Sequence, residues 1–126
     1  MEKKIIATDL APQAIGPYSQ AIVVGNTVYT SGQIPINPSS GNIESNTIGE
    51  QAEQVMKNLG EVLKASGANF DTVVKTTCFL ANIDDFSAFN EVYAKYFTSK
   101  PARSCVAVKN LPKGALVEVE VIAITK

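Results

Sequence analysis

Residues 116–124 read Leu-Val-Glu-Val-Glu-Val-Ile-Ala-Ile. Side chains alternate across a strand, so Val117, Val119 and Val121 fall on one face and Glu118, Glu120, Ile122 and Ile124 on the other. Both faces carry apolar groups, which predicts a strand at least partly buried on each side. A sheet built around it needs a layer on both faces. Helices supply one layer. In a chain of 126 residues, self-association is the simplest source of the other.

Upstream, Ser104 to Val108 is extended in pattern, and Pro101 stops whatever precedes it before Lys100, because the residue ahead of a proline is pushed out of the helical region. Before that stop, Phe86, Phe89, Val92, Tyr93, Tyr96 and Phe97 recur at helical spacing behind Asp84 or Asp85, either of which suits a helix cap. Phe86, Phe89, Tyr93 and Tyr96 share one side of this helix and are read as packing it onto a sheet. Thr72 to Leu80, rich in Val and Thr, is a strand. Thr47-x-x-Glu50 has the form of a capping box, followed by Ile48, Ala52, Val55, Met56, Leu59, Val62 and Leu63 at spacings of three and four. That helix closes near Ser66 with Gly67 in the left-handed position, and Gly60 inside it permits a close approach. Ile22 to Val24 and Thr27 to Ser31 flank Gly25-Asn26, a pair suited to a two-residue hairpin turn. Residues 31–42, with two prolines and two glycines, read as a loop leaving the sheet. The sum is one α+β domain over residues 1–126, a sheet with two helices on one face.

Composition narrows the chemistry. The chain has no histidine, which removes Ser-His-Asp and Cys-His nucleophile arrangements, the zinc deaminase pattern and the two-His zinc protease motif. No glycine-rich phosphate loop is present, so a nucleotide cofactor has no visible cradle. A net charge of -1 gives no basic stripe for nucleic acid. No apolar run approaches the roughly 18 residues that span a bilayer, and the start of the chain is not a secretory leader, so a cytoplasmic location is expected. Catalysis would fall to carboxylates, Tyr, Cys, Lys, Arg or water.

Five kinds of residue stand out. Arg103 is the only arginine beside ten lysines, placed at the mouth of a strand. It is either a structural ion pair or a planar fork for a carboxylate. Cys105 shares its strand face and is either a small buried apolar group or a reactive thiol. Glu118 and Glu120 each pair with a cation, rise in pKa by desolvation, or sit at an edge facing water. Tyr18 follows a Gly-Pro turn and suits a structural hydrogen bond. Asn90 lies among the aromatics of the second helix and can link backbone groups.

Several strings tie these residues together. Residues 14–20 read Ala-Ile-Gly-Pro-Tyr-Ser-Gln, 30–35 Thr-Ser-Gly-Gln-Ile-Pro, 74–80 Val-Lys-Thr-Thr-Cys-Phe-Leu, 89–93 Phe-Asn-Glu-Val-Tyr, 101–106 Pro-Ala-Arg-Ser-Cys-Val and 118–123 Glu-Val-Glu-Val-Ile-Ala. In order and spacing the chain resembles the reactive intermediate deaminases (Rid, YjgF-type), RidA-like branch, along nearly its whole length. The resemblance implies a chorismate-mutase-like fold, a homotrimer whose sheets form a central barrel, and sites in clefts between subunits. It implies hydrolysis of 2-aminoacrylate-type enamines and 2-imino acids to 2-keto acids and ammonia without a cofactor. In that setting Arg103 binds the substrate carboxylate and Glu118 positions or activates water. Tyr18, Ser31, Gly32 and Asn90 line the cleft, with Cys105 beside Arg103. The segment Tyr-Phe-Thr-Ser-Lys ahead of Pro101 is shorter than in many members, which bears on the cleft rim. Alternative expectations are a regulatory trimer that binds small acids without turnover, a ribonuclease or translation inhibitor, and a holdase chaperone.

Overall fold

The computed structural model describes residues 2–126. Strands β1 (Lys3–Ile6), β2 (Ala21–Val24), β3 (Thr27–Thr30), β6 (Val73–Leu80), β7 (Ala102–Ala107) and β8 (Val117–Ile124) form one sheet in the order β1-β2-β3-β8-β6-β7. Only the β6/β7 pair is parallel; the others are antiparallel. Helices α1 (Ile48–Ala65) and α2 (Phe86–Tyr96) cover one face. This is the mixed α+β architecture expected. No helix among the described residues is long and apolar enough to cross a membrane.

The segment at 116–124 is the inner strand β8, held by β3 on one side and β6 on the other. Its valines and Ala123 are buried under the helices, while Glu118, Glu120, Ile122 and Ile124 face the uncovered side. Across from those valines, α1 presents Val55, Met56, Leu59, Val62 and Leu63, all inaccessible to solvent. Their apolar surface is the main stabilising term in docking the helix, at about 1.5–3 kcal/mol per large side chain. Gly60 permits the close approach expected of it, since a Cβ there would meet the Phe70 ring at 3.1 Å.

Local signals were mostly where chemistry put them. Thr47 caps α1 by accepting from the Glu50 N–H at 3.3 Å, and its hydroxyl donates to the Glu50 carboxylate at 2.9 Å. Gly67 takes φ +81 just past the helix. The hairpin turn differs in detail: Gly25 alone adopts positive φ, at +60. That is the pattern of a type II′ turn, which asks for the left-handed residue only at its first central position.

Four expectations need correction. The side chains of Asp84 and Asp85 do not cap α2; Asn82 accepts from the Asp84 N–H and starts a short 3-10 turn that runs straight into the helix. The helix ends at Tyr96, with Phe97 outside it. Strand β6 starts at Val73, because Asn69 and Thr72 cap each other around another 3-10 turn. Residues 31–42 are not a plain loop, since β4 (Ile36–Asn37) and β5 (Asn42–Ile43) pair there. β1, on the far side of β2, went unread because three of its four residues are exposed and carry no alternation.

Replacing Leu59 by Ala should leave a cavity at the α1/β8 contact and lower stability by about 2–5 kcal/mol. A urea melt that shows an unchanged midpoint would remove α1 from the core.

Candidate functional site

β7 is an edge strand, and its pairing with β6 sets Arg103 beside Thr76 and Cys105 beside Cys78. Thr76 and Cys78 are fully buried under α2, so Arg103 and Cys105 also turn to the helical face. There the guanidinium lies 4.6 Å from the centre of the Tyr93 ring and 5.4 Å from that of Phe86. It donates from Nη1 to Asn90 Oδ1 at 2.6 Å. The Tyr93 hydroxyl shares a 2.8 Å hydrogen bond with Thr76, which fixes the ring under the cation. Among the described residues the one ion pair is Lys95–Glu53. Arg103 is therefore not the structural ion pair that composition allowed. Its positive charge meets two π faces and a neutral amide, and its remaining donors are open to an anion.

The guanidinium opens into a cavity of about 560 Å³ walled by Asn90, Tyr93, Ala94, Phe97 and Pro101, with Lys100 at the rim. The wall is largely apolar, which strengthens any charge interaction inside it. Lys100 holds a left-handed φ of +55 immediately before Pro101, the price of turning sharply out of α2. Cys105 sits near this cavity as a thiol, not a thiolate. Burial pushes its pKa up, and neither the Arg103 charge nor a hydrogen bond with Cys78 offsets that.

Glu118 is on the other side of the sheet. It pairs with Phe79 on the uncovered face, whereas its neighbour Val119 pairs with Cys78 on the helical face. β8 is an inner strand, so neither glutamate sits at a sheet edge, but Glu120 is exposed and faces water while Glu118 is half-buried. Burial raises the Glu118 pKa, and the like charge of Glu120 raises it further. The carboxyl lies against Gly32, in the space that a Cβ there would fill, so a larger residue would push the Glu118 side chain aside. Gly32 is held there by Gln33, which exchanges backbone hydrogen bonds with Val119 at 2.8 and 3.1 Å. The Ser31 hydroxyl donates to the Ser19 carbonyl at 2.5 Å and its N–H to the Gln20 carbonyl. Those bonds bring the Tyr18 segment alongside, and Tyr18 and Gly32 line one small cavity. The Tyr18 hydroxyl accepts weakly from Ile15 N–H at 3.4 Å and the side chain stays half exposed.

The seven residues singled out thus fall into two groups. Asn90, Arg103 and Cys105 gather on the helical face at the β7 edge; Tyr18, Ser31, Gly32 and Glu118 gather on the opposite side. Within one chain the sheet separates Arg103 from Glu118. Sequence reading missed Phe86, Tyr93 and Thr76 as supports of Arg103. The available signal was one arginine on a strand next to an aromatic helix stripe, a pairing that cation–π attraction favours. It also missed Gln20, Gln51 and Asn58. Gln20 is bonded to Thr8 and Pro12 backbone, Gln51 to Ser45 and Leu116, and Asn58 to the Ile34 and Ile36 carbonyls. Gln20 and Asn58 thereby fasten the segments beside Tyr18, Ser31 and Gly32, and Gln51 ties the start of α1 to the residue ahead of β8.

Comparison with known proteins places this geometry. A family model described as Endoribonuclease L-PSP matches residues 8–125. A human protein named 2-iminobutanoate/2-iminopropanoate deaminase is 52% identical over 97% of this chain and 90% of its own length. A Lactococcus lactis protein, AldR, whose name proposes a regulatory role, is 56% identical over 98% of both chains. The crystal structure of E. coli TdcF with bound serine superposes with a TM-score of 0.92 at 40% identity, covering 98% of this chain and 99% of that one. With these matches spanning almost every residue of both site groups, the chain belongs to the Endoribonuclease L-PSP family, the YjgF/Rid proteins that its motifs resemble.

Proposed function

We propose that this protein is a 2-iminobutanoate/2-iminopropanoate deaminase. The observation that carries the reading is Arg103: a guanidinium steadied by two rings and an amide, without a carboxylate partner among the described residues, facing a largely apolar cavity. A 2-imino acid presents a planar carboxylate that fits this fork through two parallel hydrogen bonds. Its C2 is then held for attack by water. Glu118 takes a proton from the water as oxygen bonds to C2, then gives a proton to nitrogen. It then takes the proton of the new C2 hydroxyl and passes it to nitrogen as the C–N bond breaks, so that ammonia leaves, the 2-keto acid remains and Glu118 is again ionised. A carboxyl with a raised pKa suits both transfers. Enamine substrates such as 2-aminoacrylate enter after protonation at C3.

Because Arg103 and Glu118 lie on opposite faces of one sheet, a shared substrate requires that a second copy bring its Glu118 group to the first copy's Arg103. We assign the site to the junction between subunits of a homotrimer. The uncovered sheet face supports this, with Ile5 62%, Tyr29 49% and Val106 46% exposed beside Ile22 and Ile122. Burying such surface against a copy of itself is favourable at about 25 cal/mol per Å². Tyr18, Ser31, Gly32 and Asn90 line the cleft and Cys105 stands beside the clamp. The net charge of -1 and the lack of histidine supply neither a phosphate-neutralising surface nor an imidazole for RNA cleavage. The name of the Lactococcus lactis relative favours a second reading, a trimer that binds small acids and regulates without turnover.

A coupled assay with threonine dehydratase separates the two: the deaminase accelerates release of 2-ketobutyrate and ammonia, whereas the regulator binds the keto acid and leaves the rate alone. Arg103→Ala should lower kcat/KM about 100-fold, given about 1.5–3 kcal/mol per charged hydrogen bond. Arg103→Lys at full kcat/KM would rule out the bidentate clamp. Glu118→Gln should cut kcat about 10²–10⁴-fold with KM little changed.

Since Glu118 must start ionised and its pKa is raised, activity should fall on acidification at a pH above that of an ordinary carboxylate. Glu120→Gln removes the repelling charge and should move this acid limb lower, without abolishing the shift, because burial is the larger cause. An acid limb that stays put in that variant argues against Glu118 as the titrating base. Sedimentation at micromolar concentration should give the mass of three chains; a monomer with full activity would overturn the shared site.

A further inference from the structure

Cys78 and Cys105 are both free and stand directly opposite each other on the parallel strands β6 and β7, with both side chains on the helical face. Neighbouring strands run about 4.8 Å apart, inside the span of about 4.4–6.8 Å between Cα atoms that a disulfide bridges. The two differ in access. Cys78 is fully buried, while Cys105 is partly exposed two residues from Arg103. From the register, their access and their place beside the cavity, we propose that the pair is a redox modification site: peroxide closes a reversible disulfide across β6 and β7 and weakens carboxylate binding at Arg103.

The chemistry divides between the two thiols. Cys105 sulfur attacks one peroxide oxygen, the O–O bond breaks, and water leaves a sulfenic acid. Cys78 sulfur then attacks the sulfenic sulfur, the S–O bond breaks, and a second water departs with the thiol proton. Two thiols lose two electrons and one peroxide gains them. Burial holds the Cys78 thiol up at about 12 and raises the Cys105 thiol as well, so access rather than acidity makes the partly exposed Cys105 the first target and the buried Cys78 the resolving partner. The partly exposed Cys105 sulfur is the one open to an attacking thiol, which reverses the bond.

The link to Arg103 is physical. The Cys78 thiol donates to the Thr76 hydroxyl at 3.9 Å, Thr76 shares its hydrogen bond with the Tyr93 hydroxyl, and the guanidinium rests on the Tyr93 ring. Closing the disulfide removes the first contact of that series and draws Cys105 inward beneath the cavity. The binding consequence rests on the deaminase reading, whereas the bond itself does not.

The test treats the reduced full-length protein with one equivalent of hydrogen peroxide, then measures intact mass, thiol titration after unfolding, and calorimetric affinity for 2-ketobutyrate. Expected are a loss of two hydrogen masses, no titratable thiol, a crosslink between the peptides carrying Cys78 and Cys105, and an affinity several-fold weaker that dithiothreitol restores. Cys78→Ala should instead accumulate oxygen on Cys105, and Cys105→Ala should resist the reagent. Oxygen adducts in the wild type with Cys78 still titratable, or disulfide-linked chains on a non-reducing gel, would overturn the bond. A closed bond with unchanged affinity would overturn its action on Arg103. If untreated protein fails to bind any 2-keto acid, the deaminase reading falls while the mass result stands on its own.

Discussion

A strand has two faces, and β8, hydrogen-bonded along both edges, has to satisfy each of them. Its valines commit one face to the helices so completely that they are inaccessible to solvent. Every carboxylate or isoleucine between them is then forced to the opposite side. The same alternation that buries the core therefore delivers Glu118 to the uncovered face and keeps it half-buried among apolar neighbours. Packing, charge state and the need for a partner surface all follow from that one periodicity.

The helical face imposes a different discipline at β7. Being at the sheet's edge and parallel to β6, β7 can offer Arg103 to a cavity while its backbone remains anchored on one side. α2 supplies the seat. Phe86 and Tyr93 lie two turns apart on that helix, so both rings reach the same guanidinium, and Asn90 between them supplies the acceptor. Fixing a long side chain this way takes away much of the rotamer freedom that anion binding would otherwise cost.

Much of this was legible in the residues because the strongest signals are periodic. Period two in 116–124 and the three-and-four spacing of α1 report which face of each element is buried, and Thr47 caps its own helix, so each can be read without knowing the partner. What stayed hidden depends on distant partners. Gln20, Gln51 and Asn58 look like ordinary polar residues until the loops they fasten are folded against them. β1 is exposed and lacks alternation, so nothing local distinguishes it. Asp85 has the composition of a cap, but the 3-10 turn ahead of α2 is organised by Asn82, three residues earlier. The seven candidate residues could be named from their motifs. Their division between two sides of a sheet could not, because it follows from strand order, and the parallel entry of β7 beside β6 is set by a crossover through α2 rather than by any local pattern.

The connection from Phe97 to Pro101 joins two anchored points, the buried Phe97 ring and the first residues of β7, and between them Thr98, Ser99 and Lys100 belong to neither helix nor strand. Lengthening it disturbs no ladder. The wall of the cavity is thus the part of the molecule that evolution or a protein engineer can resize most cheaply, while the cation at its base keeps its seat. A single scaffold can in this way present cavities of different size by insertion and deletion, with the Arg103 guanidinium held where it was.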